Sequence, residues 1–411
     1  MRALFTVQPS IGHLHPLVPV ARAVRDAGHE VAVCSAASFG AEVQAFGLTH
    51  IPGGLDWHTS DRSTWEAFPP MPPPGPEFAA FVVTMFADIT ARHMVPDLLG
   101  IAGEWRPDLV IRESMEYGGC VAAECLGLPH ASIAGNGYSA VDSPHIGYFP
   151  GNRQAVAEPL ARHRAEFGLP PDPDVQMPFR YLHLCFTPPS WDGASAPRPR
   201  NAHFLRHTST VVPGMQLPEW VASLPERPTV LVSLGTVFNR TPGLLEAIIE
   251  GVREEPVNLV VAIGRDQDPS RFGAQPPHVR LEGYVPQPLL LPHCRLLVTH
   301  GGFNSVKEAL SAAVPMVVAP ITADQPYCAA RCAALGVART VDRDDWTPGA
   351  VRSAVRDVLS DPSYAAHARK FQAEINALSG PDHMLDLLQT LERQAIERRL
   401  GLTTTGHAAP S

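Results

Sequence analysis

The chain runs to 411 residues, 45% apolar and 18% charged, which excludes wholesale disorder and leaves room for two or three domains. Lys and Arg total 32 against 41 acidic residues, and the resulting net charge of −9 argues against a nucleic-acid surface though not against a single nucleotide pocket. Seven scattered cysteines with no CxxC pair exclude a disulfide scaffold or a structural zinc site. The N-terminal apolar run is too short for a signal peptide and no stretch approaches about 18 consecutive apolar residues, so a reduced, cytoplasmic protein without a membrane span is expected.

Ala3 to Val7 is a short apolar run of the kind that a parallel sheet buries on both faces. Pro16 fits the first turn of a helix on which Leu14, Leu17, Ala21 and Val24 recur at helical spacing, and Gly28 ends it. Glu30 to Cys34 then reads as the next strand. Gly12-His13-Leu14-His15-Pro16 opens the helix, where the dipole disfavours an imidazolium. A His at such a place is more often a plain loop residue than a catalyst, but His13 is expected to be neutral and able to act as a base.

Between Asp56 and His93 the pattern breaks, because the Pro-rich run 69–76 suits neither a helix nor an interior strand. Trp57, Trp65, Phe68, Phe78, Phe81 and Phe86 surround the break. They fit either a surface loop pinned by buried rings or a pocket wall for an apolar ligand, and the two are compatible. Winding resumes with a strand at Asp108 to Ile111, a helix at Gly118 to Leu126 and a strand at Ala131 to Ala134. Glu113, just past the first of these strands, could orient a base and stabilise it once protonated. Its plain alternative is an ion pair with Arg112 or another basic neighbour, and Glu116 is a substitute carboxylate.

After a second Pro-rich stretch, from Pro188 to Pro228, strands recur at Thr229–Leu234, Asn258–Ile263, Arg295–Thr299 and Pro315–Ala319, with a helix at Pro242–Arg253. A last helix, Met384 to Leu400, precedes a frayed tail. The chain thus reads as two wound α/β domains in tandem, joined near residues 195–225.

In open parallel sheets, ligands bind beyond the carboxyl ends of the strands. The segment from Thr299 to Glu308, His300-Gly301-Gly302-Phe303-Asn304-Ser305 at its centre, lies between a strand and a helix. Its glycines and free helix N–H groups suit a diphosphate, with His300, Asn304 and Ser305 as further donors. Glu308 either holds ribose hydroxyls or closes a capping box with Ser305. Ser233-Leu234-Gly235-Thr236 could approach the same diphosphate, and Tyr284-Val285-Pro286-Gln287 could flank a base. Asp324 and Gln325 would serve a polyol or merely a solvated turn. No GxGxxG follows the first strand, which rejects a dinucleotide oxidoreductase.

Together, GHLHP, RPDLVIRE, YVPQPLLLPHCRLLVTHGGFNSVKEAL and ADQ resemble the nucleotide-sugar glycosyltransferases of the GT-B fold. The likeness covers roughly residues 1–395 and is strongest to family 1 enzymes that decorate macrolides, enediynes and aromatic polyketides. The resemblance implies an α/β architecture of two tandem Rossmann-like domains whose parallel sheets face each other across a cleft. Residues 1–210 would bind the acceptor and 211–380 the nucleotide sugar, with 381–400 a helix returning to the N-terminal domain and 401–411 a flexible tail.

Residue by residue, the resemblance makes His13 the general base and Glu113 its partner. His300, Gly302, Asn304 and Ser305 would hold the donor's diphosphate with help from Thr236, Tyr284, Val285 and Gln287 would contact the base and Glu308 the ribose, and Gly12 would also touch the donor. Asp324 and Gln325 would hold the sugar hydroxyls, and Trp57, Trp65, Phe68, Phe81 and Phe86 would line the acceptor side. The implied reaction is an inverting, metal-independent hexosyl transfer with no cofactor, from a dTDP- or UDP-sugar to a hydroxyl of a hydrophobic aglycone. A homodimer is compatible with it. Plant relatives have Trp where this chain has Tyr284, which tilts the expectation to dTDP-deoxysugars, and Asp where it has Glu113. The rivals are a non-hydrolysing NDP-sugar epimerase, which needs no aromatic acceptor wall, and a non-catalytic sugar-nucleotide-binding helper, which would need neither His13 nor Glu113.

Overall fold

In the computed structural model, which describes residues 1–73, 76–135, 153–193, 196–235, 240–265 and 267–399, the apolar runs become strands of two parallel sheets. The first contains β1 (Arg2–Thr6), β2 (Glu30–Ser35), β3 (Thr49–Pro52), β4 (Leu109–Glu113), β5 (His130–Ile133), β6 (Leu182–Cys185) and β7 (Ala202–Phe204). Their spatial order is β3-β2-β1-β4-β5-β6-β7. The second contains β8 (Thr229–Ser233), β9 (Asn258–Ala262), β10 (Val279–Glu282), β11 (Leu296–Thr299), β12 (Met316–Val318) and β13 (Ala338–Thr340), in the order β10-β9-β8-β11-β12-β13. Both sheets therefore wind outward in two directions from one central pair, β1 and β4 or β8 and β11. Helices cover both faces, which is why β4 and β11 are buried along their whole length. At such a central pair the following loops diverge and leave a crevice for a ligand.

Two local readings are corrected. The expected first helix is broken: Ile11–Leu14 makes a single turn, and the main helix is Val18–Asp26. Pro16 lies between them, because it offers no N–H to the carbonyl four residues back. The expected loop after the Pro-rich run is instead almost continuous helix. Pro76–Val83, a π-helical Thr84–Thr90 and Ala91–Trp105 follow one another directly. By length and composition, Glu77–Trp105 could cross a membrane, yet its Phe81, Phe86, Met94, Val95 and Leu98 are packed in the domain core.

The last helix, Pro381–Arg399, returns to the N-terminal sheet, where Met384, Leu388 and Leu391 join Val20, Ala21 and Val24 in one apolar cluster. Each Met, Leu or Val side chain among them, removed from water, contributes roughly 1.5–3 kcal/mol. The chain crosses between the two halves twice, and the two crossings touch. Leu205 bridges Ser379, and the Arg206 N–H donates to the Ser379 carbonyl at 2.8 Å.

Candidate active site

On the N-terminal side the central pair of strands delivers His13 and Glu113. Glu113 is the last residue of β4 rather than a loop residue, and its side chain is fully buried. Oε1 accepts from the Met115 N–H at 2.9 Å and from the Ser114 hydroxyl at 3.1 Å, which leaves Oε2 at 2.9 Å from Nδ1 of His13. Neighbouring strand residues face opposite ways, so Arg112 turns from this carboxylate. Its guanidinium donates to the carbonyls of Glu113, Ser114, Glu116 and Pro178, and the alternative ion pair is not formed. Glu116 takes its own partners, the Thr6 hydroxyl and the Gly119 N–H.

The helix dipole is not the influence that dominates at His13. Burial lowers its pKa, but the charge of Glu113 and its contact raise it more, with Asp324 adding to the rise, so it ends above the usual 6.5. A one-turn helix has too few aligned peptides to outweigh a carboxylate in contact. The His13 side chain remains 22% exposed, and its ring lies 5.7 Å from that of Phe86.

Phe86 belongs to an aromatic cluster centred on Trp57, whose ring centroid is 4.8 Å from Phe68, 5.8 Å from Trp65 and 6.2 Å from Phe86. Phe81 stacks on Trp65 at 6.4 Å. The rings are largely spent on one another, as in a pinned wall. Phe86 is the member that reaches the base.

On the C-terminal side, β11 leads into His300-Gly301-Gly302, and the helix Phe303–Ser311 begins with Gly302 as its cap. Ser305 is thus inside the helix, and the capping box with Glu308 is not formed. Glu308 instead accepts from Nε2 of Gln287 at 2.7 Å, which joins the Tyr284–Gln287 segment to this helix. Burial pushes Glu308 up to about 7, against the pull of Gln287 and Lys307.

Two glycines frame His300. A Cβ on Gly302 would lie 2.5 Å from the His300 ring, and one on Gly235, at φ +72°, would lie 2.8 Å from it. Only glycine lets the loops after β8 and β11 close this tightly on an imidazole. Burial pushes His300 down to about 4, against a backbone hydrogen bond at Ser233. The ring therefore offers a neutral donor beside the open N–H groups of the helix start. Thr236 lies outside the described residues.

Tyr284 is 45% exposed, with the Arg265 guanidinium 4.3 Å from its ring centre, whereas the Val285 side chain is buried. Gln325 is also buried, and its Oε1 accepts from the N–H groups of Ile321 at 2.8 Å and Thr322 at 3.0 Å. That oxygen serves the turn. Asp324 precedes the helix Gln325–Ala334, and its charge reaches His13.

Two features escaped the sequence reading. Nδ2 of Asn304 donates to the Gly12 carbonyl at 2.7 Å, so the two halves meet beside His13. Lys307, on the same helix as Asn304, is 1% exposed, and its Nζ has no hydrogen-bond partner. The only available signal was Pro16, which marks the Gly12 carbonyl as open. Among the described residues, no cluster of three or more His, Cys, Asp or Glu is placed to hold a metal ion.

Two Rossmann-like sheets, with a carboxylate-held histidine at one carboxyl edge and a glycine-framed helix start at the other, define a two-domain enzyme of the GT-B class. Residues 78–167 and 247–391, more than half of the chain, match the N-terminal and C-terminal domains of the family described as erythromycin biosynthesis protein CIII-like. The 4'-demethylrebeccamycin synthase of Lentzea aerocolonigenes is 28% identical, over 95% of this chain and 99% of its own. The 10-deoxymethynolide desosaminyltransferase of Streptomyces venezuelae is also 28% identical, over 97% and 98%. Among solved structures, glycosyltransferase VinC in complex with dTDP superposes with a TM-score of 0.76 at 26% identity, covering 96% of this chain and 100% of VinC. The chain belongs to the bacterial natural-product glycosyltransferases of family 1.

Proposed function

We propose that the protein moves a deoxysugar from a dTDP-sugar, or less favourably a UDP-sugar, to a hydroxyl of a hydrophobic natural-product aglycone. The observation that carries this reading is the His13–Glu113 pair set beside a diphosphate-shaped helix start in the facing domain. Relatives named for transferring desosamine or bound to dTDP support the donor class. In this reading residues 1–210 hold the acceptor against Phe86 and its cluster, and 211–380 hold the donor. Tyr284 and Gln287 face the nucleobase, Glu308 the ribose, His300, Gly302 and Ser305 the diphosphate, and Asp324 the sugar.

With Nδ1 engaged by Glu113, Nε2 of His13 takes the proton of the acceptor hydroxyl. The oxygen then bonds to the anomeric carbon on the face opposite the diphosphate, whose C–O bond breaks, so configuration inverts. The helix start and the neutral His300 receive the charge of the departing diphosphate without a resident metal ion. The seven cysteines, none of them in a disulfide, suit a reducing compartment such as the cytoplasm.

Calorimetric titration with dTDP, UDP and NAD tests the donor site. dTDP should bind most tightly, and His300→Ala should weaken it while the fold is kept. Binding of NAD alone would defeat the proposal. Once an acceptor is found by mass gain, His13→Ala should keep nucleotide affinity and lose about 10²–10⁴-fold in turnover, the usual share of a general base. A folded variant with undiminished turnover would remove His13 from the role.

A further inference from the structure

In a helical turn the carbonyl of residue 12 accepts from the N–H of residue 16. Here that residue is Pro16, which has no N–H, so the Gly12 carbonyl is left open by the sequence itself. The group that fills it comes from the other domain: Nδ2 of Asn304, 2.7 Å away and 292 positions along the chain. This carbonyl lies in the same rigid peptide plane as the backbone nitrogen and Cα of His13. Fixing the oxygen therefore fixes where the His13 side chain begins. The far end of that side chain is held at 2.9 Å by Glu113. The imidazole is thus anchored once from each domain. Asn304 is the second residue of the helix Phe303–Ser311, directly behind the Gly302 cap where the diphosphate is placed above.

We propose that Asn304 is a positioning residue, which ties the donor-side helix start to the peptide carrying His13 and so aligns the base with the sugar held opposite. The inference rests on the glycosyltransferase reading and changes the part assigned to Asn304, from a diphosphate ligand to an inter-domain strap. A base displaced by even about 1 Å costs on the order of 10²-fold in rate, so a single strap of this kind has a measurable effect.

The test is a split between binding and turnover in Asn304→Ala, with Asn304→Ser as a second variant whose hydroxyl is too short to reach Gly12. Both should bind dTDP within about 2-fold of wild type and lose roughly 10–100-fold in kcat at saturating donor. The acid limb of kcat/KM should stay where it is, since Glu113 still faces His13. Unchanged kcat overturns the proposal, and so does a tenfold or greater loss of dTDP affinity, which would return Asn304 to the diphosphate. Failure of the glycosyltransferase reading itself would show separately, in a wild-type protein that neither binds dTDP nor transfers sugar.

Discussion

His13 is set by two opposed effects of similar origin. Burial disfavours the imidazolium, while the Glu113 carboxylate in contact favours it and wins, so the pKa ends above 6.5. Base catalysis needs the neutral ring, so kcat/KM should fall on the acid side with a midpoint above 6.5. Glu113→Gln removes the raising charge and leaves burial in command. The acid limb should then move to lower pH, while the plateau rate drops by about 10²-fold because the imidazolium formed in the reaction loses its counter-charge. A pH–rate profile of both proteins decides this. An acid limb that stays in place would show that another group titrates. Glu113→Gln is expected to fold, because the amide oxygen can still accept from the Met115 N–H.

The helix Phe303–Ser311 carries two kinds of residue on its polar positions. Asn304 and Glu308 are partnered, whereas Lys307 is buried with its Nζ unpartnered, 4.8 Å from the centre of the Phe303 ring. Burial pushes Lys307 down to about 8, with Glu308 and Cys328 pulling the other way. His15 and His207 lie close enough to feel its charge. Burial foremost, with Lys307 adding, pushes His15 down to about 4 and His207 well below its usual range. A buried ammonium without a partner costs stability, so Lys307→Met should stabilise the protein by about 1–3 kcal/mol at neutral pH. The sign follows from the lowered pKa. The penalty is fully present below about pH 8, and it is relieved as pH rises toward 10.5, where the unfolded chain also loses the proton. Thermal melts across that range should show the gap between variant and wild type closing. A lower melting temperature in the variant would mean that the ammonium has a stabilising partner.

At the scale of the molecule, what could be read from the sequence was what is local. Apolar runs bounded by glycine and proline marked the central strands, and the glycine-bearing loops after β8 and β11 marked the His300 cradle. Strands β7 (Ala-His-Phe) and β13 (Ala-Arg-Thr) have no apolar run to mark them, whereas β12 (Met-Val-Val), equally short, has one. Helix Pro76–Trp105 was hidden because the proline run before it reads as loop, although proline is tolerated at a helix start. The site divided along the same line. His13 and Glu113 were legible as residue types after strands, but the charge state of His13 depends on a carboxylate 100 positions away. The Ser305–Glu308 spacing matched a cap that Gly302 in fact provides, and the Gln325 oxygen went to its own turn. Only the His13–Glu113 contact lies beyond one window of sequence; at Gly302 and Gln325 the alternatives sit within a few residues of each other, and spacing alone does not choose between them.

The two chain crossings, side by side at Leu205–Arg206 and Ser379, join the halves covalently at one place. Everything else that holds the two sheets together is non-covalent, including Asn304 on the Gly12 carbonyl, the Tyr327 hydroxyl on Asp192, and Trp191 against Phe303 and Phe371. How the halves meet is therefore set by side chains, and it can be altered one contact at a time with both backbones left intact.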